Sequence, residues 1–457
     1  MFALDGQGSA PAQAAQDYER AGQVMLAQSD LVLGVWNGGP AAGVGGTAQI
    51  VAEAVGAGIP VIVVSTTARA APVVLADALG GEGCGGATLR TVAQGPLQRL
   101  GDVLAPPAPT DDAIDADAPP TDGAAARLLA LPFRLLLAAT GARPRKARHG
   151  ERPGEAMPPA LAQRFARADA AASAAAASYR GAYVANFALA AGAVLVALSG
   201  LVLPSSVKPA LLAGEIALIV AILAITRIGT RRQWHRRWIE QRQLAERLRC
   251  LAVSSRLGDL QLRQHGARTA PAVQAAANAA ARALGLPQAS VDPGFLAGVR
   301  SELLELIGSQ RSYFSREAET MHRLDHRLHA AGSVLFGGTA LVCIGFLALK
   351  LAHGAGLARV DEDALHAAAV WVTIATAAFP AIGAALQGIR MQGDFAGAAD
   401  RSHAIEHDLG ALEEVVAAEP VAFDTLLVRA RRATALLTDD LDAWTHTYRG
   451  KPLTLPG

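Results

Sequence analysis

Cysteine is scarce. Cys84, Cys250 and Cys343 are the whole complement in 457 residues, far apart and odd in number. That spacing offers neither a disulfide framework nor a zinc site. Charge is sparse as well: Asp, Glu, Lys and Arg together make up 18% of the chain and the net formal charge is +1. Whole-molecule electrostatics therefore point to neither a nucleic acid nor an acidic substrate, and no basic patch interleaved with aromatics speaks for a nucleic-acid partner. Missing too are a Walker-type loop, a paired-carboxylate signature and any Ser-His-Asp spacing that would build a triad. The N-terminal stretch MFALDGQGSAPAQAAQDYER has no basic region followed by an apolar run. The expectation is that the N-terminal part stays in the cytoplasm.

What is present is apolar. Mean hydropathy is +0.27, too high for an ordinary soluble chain of this size. Four apolar segments carry it, at residues 181–203, 209–228, 330–352 and 366–389. Each is near the ~20 residues that cross a bilayer as a helix. The link PSSVK makes the first two a tight hairpin, and the last two form a second pair. Arg227, Arg231, Arg232, Arg236, Arg237 and Arg242 follow the second segment, and Arg311, Arg316, Arg323 and Arg327 precede the third. The opposite side has only Lys208, Lys350 and Arg359. Positive charge gathers on the cytoplasmic side, so both hairpins are expected to dip out and back, with both termini inside. The outline is an internal repeat: polar helix into hairpin, at 155–180 into 181–228 and at 295–329 into 330–389.

Polar groups inside such spans are the next candidates. Asn186 and Glu215 are read as intramembrane polar residues. Glu215 would line a pore or carry protons, or else bond Asn186 or a backbone carbonyl. Small residues at four-residue spacing, such as Ser333 with Gly337 and Ala384 with Gly388, allow close helix packing, and Pro380 is placed to kink the fourth span. Trp234 and Trp238 follow a span, where an interfacial aromatic belt would put them. Glu319, His322, His326 and His329 share one helical face. That face is either a metal or pH-sensing site or simply solvated, with Met321, Leu324 and Leu328 on the other side. A break near Pro420 divides the amphipathic stretch 408–448.

The N-terminal region has a different grammar. Residues 17–28 fit a helix, DLVLGVW (30–36) a strand, 47–57 a helix ended by Gly58, and IPVIVVS (59–65) a second strand. Strand, loop, helix, strand is the βαβ unit of a parallel sheet. Between the strands runs NGGPAAGVGGT. Glycine lets a backbone approach a ligand closely, and a helix N-terminus offers free N–H groups and partial positive charge. Gly45, Gly46 and Thr47 lie at that helix start. They would hold a phosphate or ribose, or form a tight turn with Thr47 as N-cap. Residues 105–123, rich in Pro, Asp and Ala, read as a disordered linker. Residues 126–142 read as an interfacial or packed helix. Arg143, Arg145, Lys146, Arg148 and Arg152 follow, as a headgroup-binding cluster or a solvated linker.

The stretch from Asp17 to Val64 resembles the C-terminal half of the Rossmann-like SLOG superfamily, with its LOG- and DprA-type nucleotide-binding domains. It is also similar to nucleoside deoxyribosyltransferase-like domains. The resemblance rests on Gly45, Gly46 and Thr47, which match a Gly-Gly-Thr loop that contacts phosphate or ribose. Gln49 stands where such domains usually carry a sugar-directed carboxylate, and the nearest acid is Glu53. This departure favours sensing over hydrolysis, because an amide cannot act as general base. The resemblance also implies a preceding half of the domain, so either the start lies upstream of Met1, which is the expectation, or the domain is degenerate. The stretches YRGAYVANFALAAGAVLVALSGL, RRQWHRRWIEQRQLAERLR and PAIGAALQGIRMQGDFAGAADRS look like bacterial SLATT-type membrane modules, whose four spans here would be a doubled or divergent form.

Together these readings give the expected organisation. A partial Rossmann-like nucleotide-binding domain of α/β class spans residues 1–80, and a linker 81–154. An all-α membrane bundle of four spans covers 155–407, and cytosolic helices 408–457. The expected function is a bacterial inner-membrane effector of a conflict or defence system. A nucleotide-derived ligand at Gly45, Gly46, Thr47 and Gln49 would bias a membrane-perturbing homo-oligomer, with the lipid bilayer as its other partner and no resident cofactor. The alternatives are a membrane-anchored nucleotide hydrolase or N-glycosyl transferase using Glu53, and a structural or transport protein with an inert Rossmann remnant.

Overall fold

The computed structural model describes residues 2–4, 11–41, 43–67, 72–75, 124–142, 157–260, 270–357 and 360–448. The linker at 105–123, the basic cluster at 143–152 and Cys84 lie outside the described residues. The elements in chain order are β1 (Phe2–Leu4), α1 (Pro11–Leu26), β2 (Val32–Trp36), α2 (Thr47–Gly56), β3 (Val61–Ser65), β4 (Val73–Leu75) and α3 (Ala124–Ala139). There follow α4 (Pro159–Ser199), α5 (Lys208–Arg231), α6 (Trp234–Ser254), α7 (Pro271–Leu284), β5 (Ala289–Val291), α8 (Pro293–Gly354), α9 (Glu362–Gly393), α10 (Phe395–Ala418) and α11 (Phe423–Tyr448).

Four helices are long and apolar enough to cross a membrane, so the chain is a membrane protein by the length and composition of its helices. Their apolar windows are only 28%, 6%, 0% and 17% buried. Side chains that would be driven inward in water face outward here. They do so over the segments the hydropathy marks, as a lipid-facing surface requires.

The first hairpin is α4 with α5, and its register can be followed residue by residue. Gly200 lies against Leu211 and Gly192 against Leu218, and Asn186 Nδ2 donates to Thr226 Oγ1 at 2.9 Å. Each step down one helix is matched by a step up the other. Glu215 is eleven positions before Thr226 on α5, roughly 16 Å along a helix axis. It therefore does not meet Asn186, which takes Thr226 instead. The second hairpin, α8 with α9, pairs Gly338 with Phe379 and Gly383 with Phe336. At the end away from its loop Arg390 clamps Asp325 through Nε and one Nη, at 2.5 and 2.8 Å. Pro380 sits inside α9, which continues through it. The hairpins join through α4 and α9, where Gly388 accommodates the Phe187 ring. Gly337 meets nothing within contact distance.

The four spans of the expected bundle form a row. α4 packs on α5 and α9, and α9 on α8, while α5 and α8 make at most marginal contact. Below the spans the helices run on. At 62 residues, α8 extends roughly 93 Å, far more than the ~30 Å hydrocarbon core. Its lower half packs on α10, and the lower half of α4 packs on α6. The boundary expected at 407/408 falls inside α10. Leu409 and Leu412 of α10, Leu426 and Leu437 of α11, and Leu303 and Ile307 of α8 share one core.

The internal repeat is exact at its joints. Gln233 separates α5 from α6 with φ 49°, and Asp394 separates α9 from α10 with φ 46°. They are the two non-glycine residues of positive φ among the described residues. Each is followed by a buried aromatic, Trp234 at 4% exposure and Phe395 at 2%. Both rings enter the same core, with Tyr179, Met321 and Leu324. Trp234 is therefore a core residue and not part of an interfacial belt. The left-handed joint swings the next helix, and the aromatic with it, back under the spans.

The α/β unit is small. β2 runs parallel to β3, as the βαβ reading requires, and β3 antiparallel to β4, in the order β2-β3-β4. Val51 and Ala54 of α2 cover one face, while Leu33 and Val35 point outward on the other. The unit is docked directly on the helical body. Arg20 of α1 grips Asp424 of α11 with a bidentate pair at 2.9 and 2.5 Å, Arg282 grips Asp30, and Val24 enters the main helical core. β1 pairs in parallel with β5, a strand the sequence pattern did not announce.

Candidate functional site

The loop between β2 and α2 is braced by its own side chains. Trp36 Nε1 donates to the Gly39 carbonyl at 3.1 Å, and Gly39 N–H donates to Asn37 Oδ1 at 2.9 Å. Gly45 adopts φ +76°. A Cβ there would meet Glu19 N at 2.7 Å, Tyr18 Cβ at 2.9 Å and Ala15 O at 3.0 Å. Two constraints thus require glycine: a left-handed backbone and the seating of the loop directly on α1. Gly46 is the N-cap of α2 with extended backbone and no side-chain cap bond. Thr47 is the first helical residue and exposed, so it is not the N-cap. It stands at the positive end of the helix dipole, where the first-turn amides have no partner within the helix.

Gln49 is turned inward. Its Oε1 accepts the Gly45 N–H at 2.8 Å, and its Nε2 donates to Glu19 Oε1 at 2.7 Å and to Glu53 Oε1 at 2.8 Å. One amide thus ties the loop, α1 and α2 together. The residues singled out by sequence, Gly45, Gly46, Thr47, Gln49 and Glu53, do converge on one helix start. Two of them, Gln49 and Glu53, are already hydrogen-bonded to each other. The residue that sequence missed is Glu19. It lies thirty positions from Gln49, and only the packing of α1 on α2 brings it there. A partly buried carboxylate on α1 that accepts from an amide on α2 is the signal in space; no local spacing encodes it.

The intramembrane candidates are separated. Asn186 is fully buried at the α4–α5 contact, and its Oδ1 has no partner among the described residues. Glu215 stands higher in the hairpin, half-buried. The Glu319 face of α8 is solvated: His322, His326 and His329 are exposed, Glu319 pairs with Arg323 at 3.6 Å, and Met321, Leu324 and Leu328 are buried behind them. Among the described residues no cluster of three or more such groups forms a metal cage.

Set against protein families, curated proteins and solved structures, the chain has no match in any of the three.

Proposed function

We propose that this chain is a membrane protein whose α/β unit senses a nucleotide-derived ligand at the start of α2 and biases the helical body towards a state that perturbs the bilayer. A homo-oligomer in the inner membrane of a bacterium, with both termini cytoplasmic and a role in defence, is the setting in which such a device works. One observation carries the reading. On α1, Glu19 holds the loop through Gln49, and the next residue, Arg20, holds α11 through Asp424. A ligand that draws the loop or Gln49 away from Glu19 acts on a helix already clamped to the body. Coupling then requires only that the ligand bind one arrangement better than the other. The free amides at Thr47 and Ala48 supply the phosphate chemistry, and Gln49 in place of an acid speaks for sensing over turnover.

The test uses the full chain, because α1 and α3 both contribute to the helical core. Binding of AMP, GMP, CMP and UMP to purified protein is measured by calorimetry, beside Thr47→Val and Gly46→Trp. Depolarisation of expressing cells is followed with a potential-sensitive dye, beside Arg20→Gln. The reading expects a nucleotide whose binding both loop variants weaken, and a changed depolarisation in Arg20→Gln. It fails if no nucleotide binds and Arg20→Gln behaves as wild type.

A second reading is favoured by Gly45 itself. Its contact with α1 and its bond to Gln49 explain the loop as a packing joint without any ligand. Under that reading Thr47→Val leaves every property unchanged, while Gly45→Ala lowers stability.

A further inference from the structure

The two repeats and α3 line a half-open cavity of about 850 Å³ beneath the spans. Its walls come from α3, from residues just before the first and third spans and from residues just after the second and fourth, so it lies where the ends of all four spans meet. The lining is cationic and aromatic: Arg134, Arg180, Arg242 and Arg401 against a single lining carboxylate, Glu317. Arg242 is balanced from behind by Glu246 at 2.7 Å and Asp169 at 3.3 Å, and Arg401 by Asp394 at 3.3 Å. Arg180 is only loosely paired, 3.8 Å from Glu317. Its guanidinium lies 5.5 Å from the centre of the Phe133 ring and 5.1 Å from that of Trp238. Arg134 is exposed, and among the described residues no carboxylate pairs with it. Set against Glu317, the pair Arg134 and Arg180 leaves one positive charge uncompensated.

Helix α3 sets this charge at membrane level. Near its start, the Leu129 carbonyl presses on Gly181, the first residue of the first span. At its end, the Thr140 carbonyl accepts from Arg327, just before the third span. The helix therefore runs across the bundle at the depth where the spans begin. Ala130, Phe133 and Leu137 face the cavity, whereas Leu128, Leu131 and Leu135 are exposed. At about 100° per residue the exposed leucines form one stripe opposite the cavity face, and Arg134 falls at the seam between them. An exposed leucine stripe at the ends of lipid-facing spans is the mark of an interfacial helix.

We infer that this cavity binds the phosphate headgroup of an anionic phospholipid from the adjoining leaflet. Its phosphate sits between Arg134 and Arg180, and its acyl chains lie along the leucine stripe of α3. The site is separate from the loop at α2 and stands whether or not that loop binds a nucleotide. Guanidinium pairs recognise phosphate through charge-assisted, often bidentate bonds. The continuous apolar surface from the cavity rim to the spans selects a lipid over a free anion.

The experiment takes the full chain in a nonionic detergent. Phosphatidylglycerol and phosphatidylcholine of equal chain length are titrated in, with AMP and inorganic phosphate as soluble arms. Bound lipid is counted by native mass spectrometry, and the thermal midpoint is followed in parallel. Phosphatidylglycerol is expected to bind saturably, at least tenfold tighter than phosphatidylcholine. Arg134→Gln, a change at an exposed and unpaired side chain, is expected to remove most of that preference. Arg236→Gln, an exposed arginine at the same end of the bundle that does not line the cavity, should keep it. Equal binding of the two lipids overturns the inference, as does an undiminished preference in Arg134→Gln or an equal loss in Arg236→Gln. Binding of AMP or phosphate with the same dependence on Arg134, at concentrations where the lipid has no effect, assigns the cavity to a soluble anion instead.

Discussion

Gly181 is the point on which the seating of α3 depends, and Gly181→Ala tests it. A Cβ there would fall inside the contact radius of the Leu129 carbonyl oxygen, 2.8 Å from the carbonyl carbon and 3.3 Å from Ala130 Cα. All three are backbone atoms, so no rotamer change relieves the clash and α3 itself must retreat, by roughly 1 Å. A gap of that size forfeits a quarter to a half of each dispersion contact along the seam. The side chains that lose are Ala130 and Phe133, 4% and 8% exposed. Full burial of a phenylalanine is worth about 3 kcal/mol. A quarter to a half of that, with a smaller loss at Ala130, places the variant roughly 1–2 kcal/mol below wild type. Gly192→Ala is the control, since its Cβ meets only Leu218 Cδ1, at 3.9 Å. The assay is the thermal midpoint of the full chain in one detergent, with the rate of tryptic cleavage after Arg127 and Arg134. Gly181→Ala should lower the midpoint and speed cleavage, while Gly192→Ala should overlay wild type. If Gly181→Ala overlays it as well, α3 does not rest on α4 at this residue and the cavity loses a wall.

Three further outcomes are expected. Gln233 holds φ 49° and ψ 41°, a left-handed conformation that costs a non-glycine residue roughly 1 kcal/mol; Gln233→Gly should raise the thermal midpoint accordingly, and a lower midpoint would contradict the joint geometry. Asn186→Leu removes a single interhelical bond, about 0.6 kcal/mol in a membrane, together with a buried unpartnered carbonyl; stability within roughly 1 kcal/mol of wild type is expected, and a drop several times larger would mean the side chain does more than join two helices. Burial against Tyr179 and Trp238 pushes the His235 imidazole down to about 4. The unfolded chain takes up that proton first, near pH 6.5, so the neutral side chain contributes its full stability above pH 6.5 and loses it as the pH falls towards 4, by roughly 3 kcal/mol at most. His235→Phe should flatten that part of the unfolding profile between pH 7 and 4.5, and parallel profiles would place the imidazole in solvent.

Much of the fold could be read from local pattern. The spans are apolar runs of fixed length, the hairpin follows from a link too short for any other path, and the βαβ unit follows from two apolar strands around one helix. What escaped the pattern are pairings between residues distant in the chain. Glu19 with Gln49, Arg20 with Asp424, Leu129 with Gly181 and β1 with β5 each bring together elements whose own sequences are ordinary. The loop illustrates the limit at the candidate site. A run of glycines before a helix is compatible with a phosphate cradle, and it is equally the signature of a loop that must lie flat on a neighbouring helix. Only the position of Glu19 N against Gly45 separates the demands of packing from those of a ligand.

Trp234 shows how a local rule fails for a reason visible in the backbone. An aromatic just past a span reads as an interfacial anchor when the helix continues straight into the headgroups. Here the chain turns at Gln233, and the equivalent turn at Asp394 follows the second hairpin. Strained conformations of this kind persist only where the surroundings over-determine them. The two aromatics do so, because Trp234 and Phe395 are each driven into one shared core by the turn that precedes them. The strain at each joint is therefore offset by burial that belongs to both repeats. Neither half can straighten its joint without withdrawing a ring from the core that both share, and Phe395 of that core also lines the cavity.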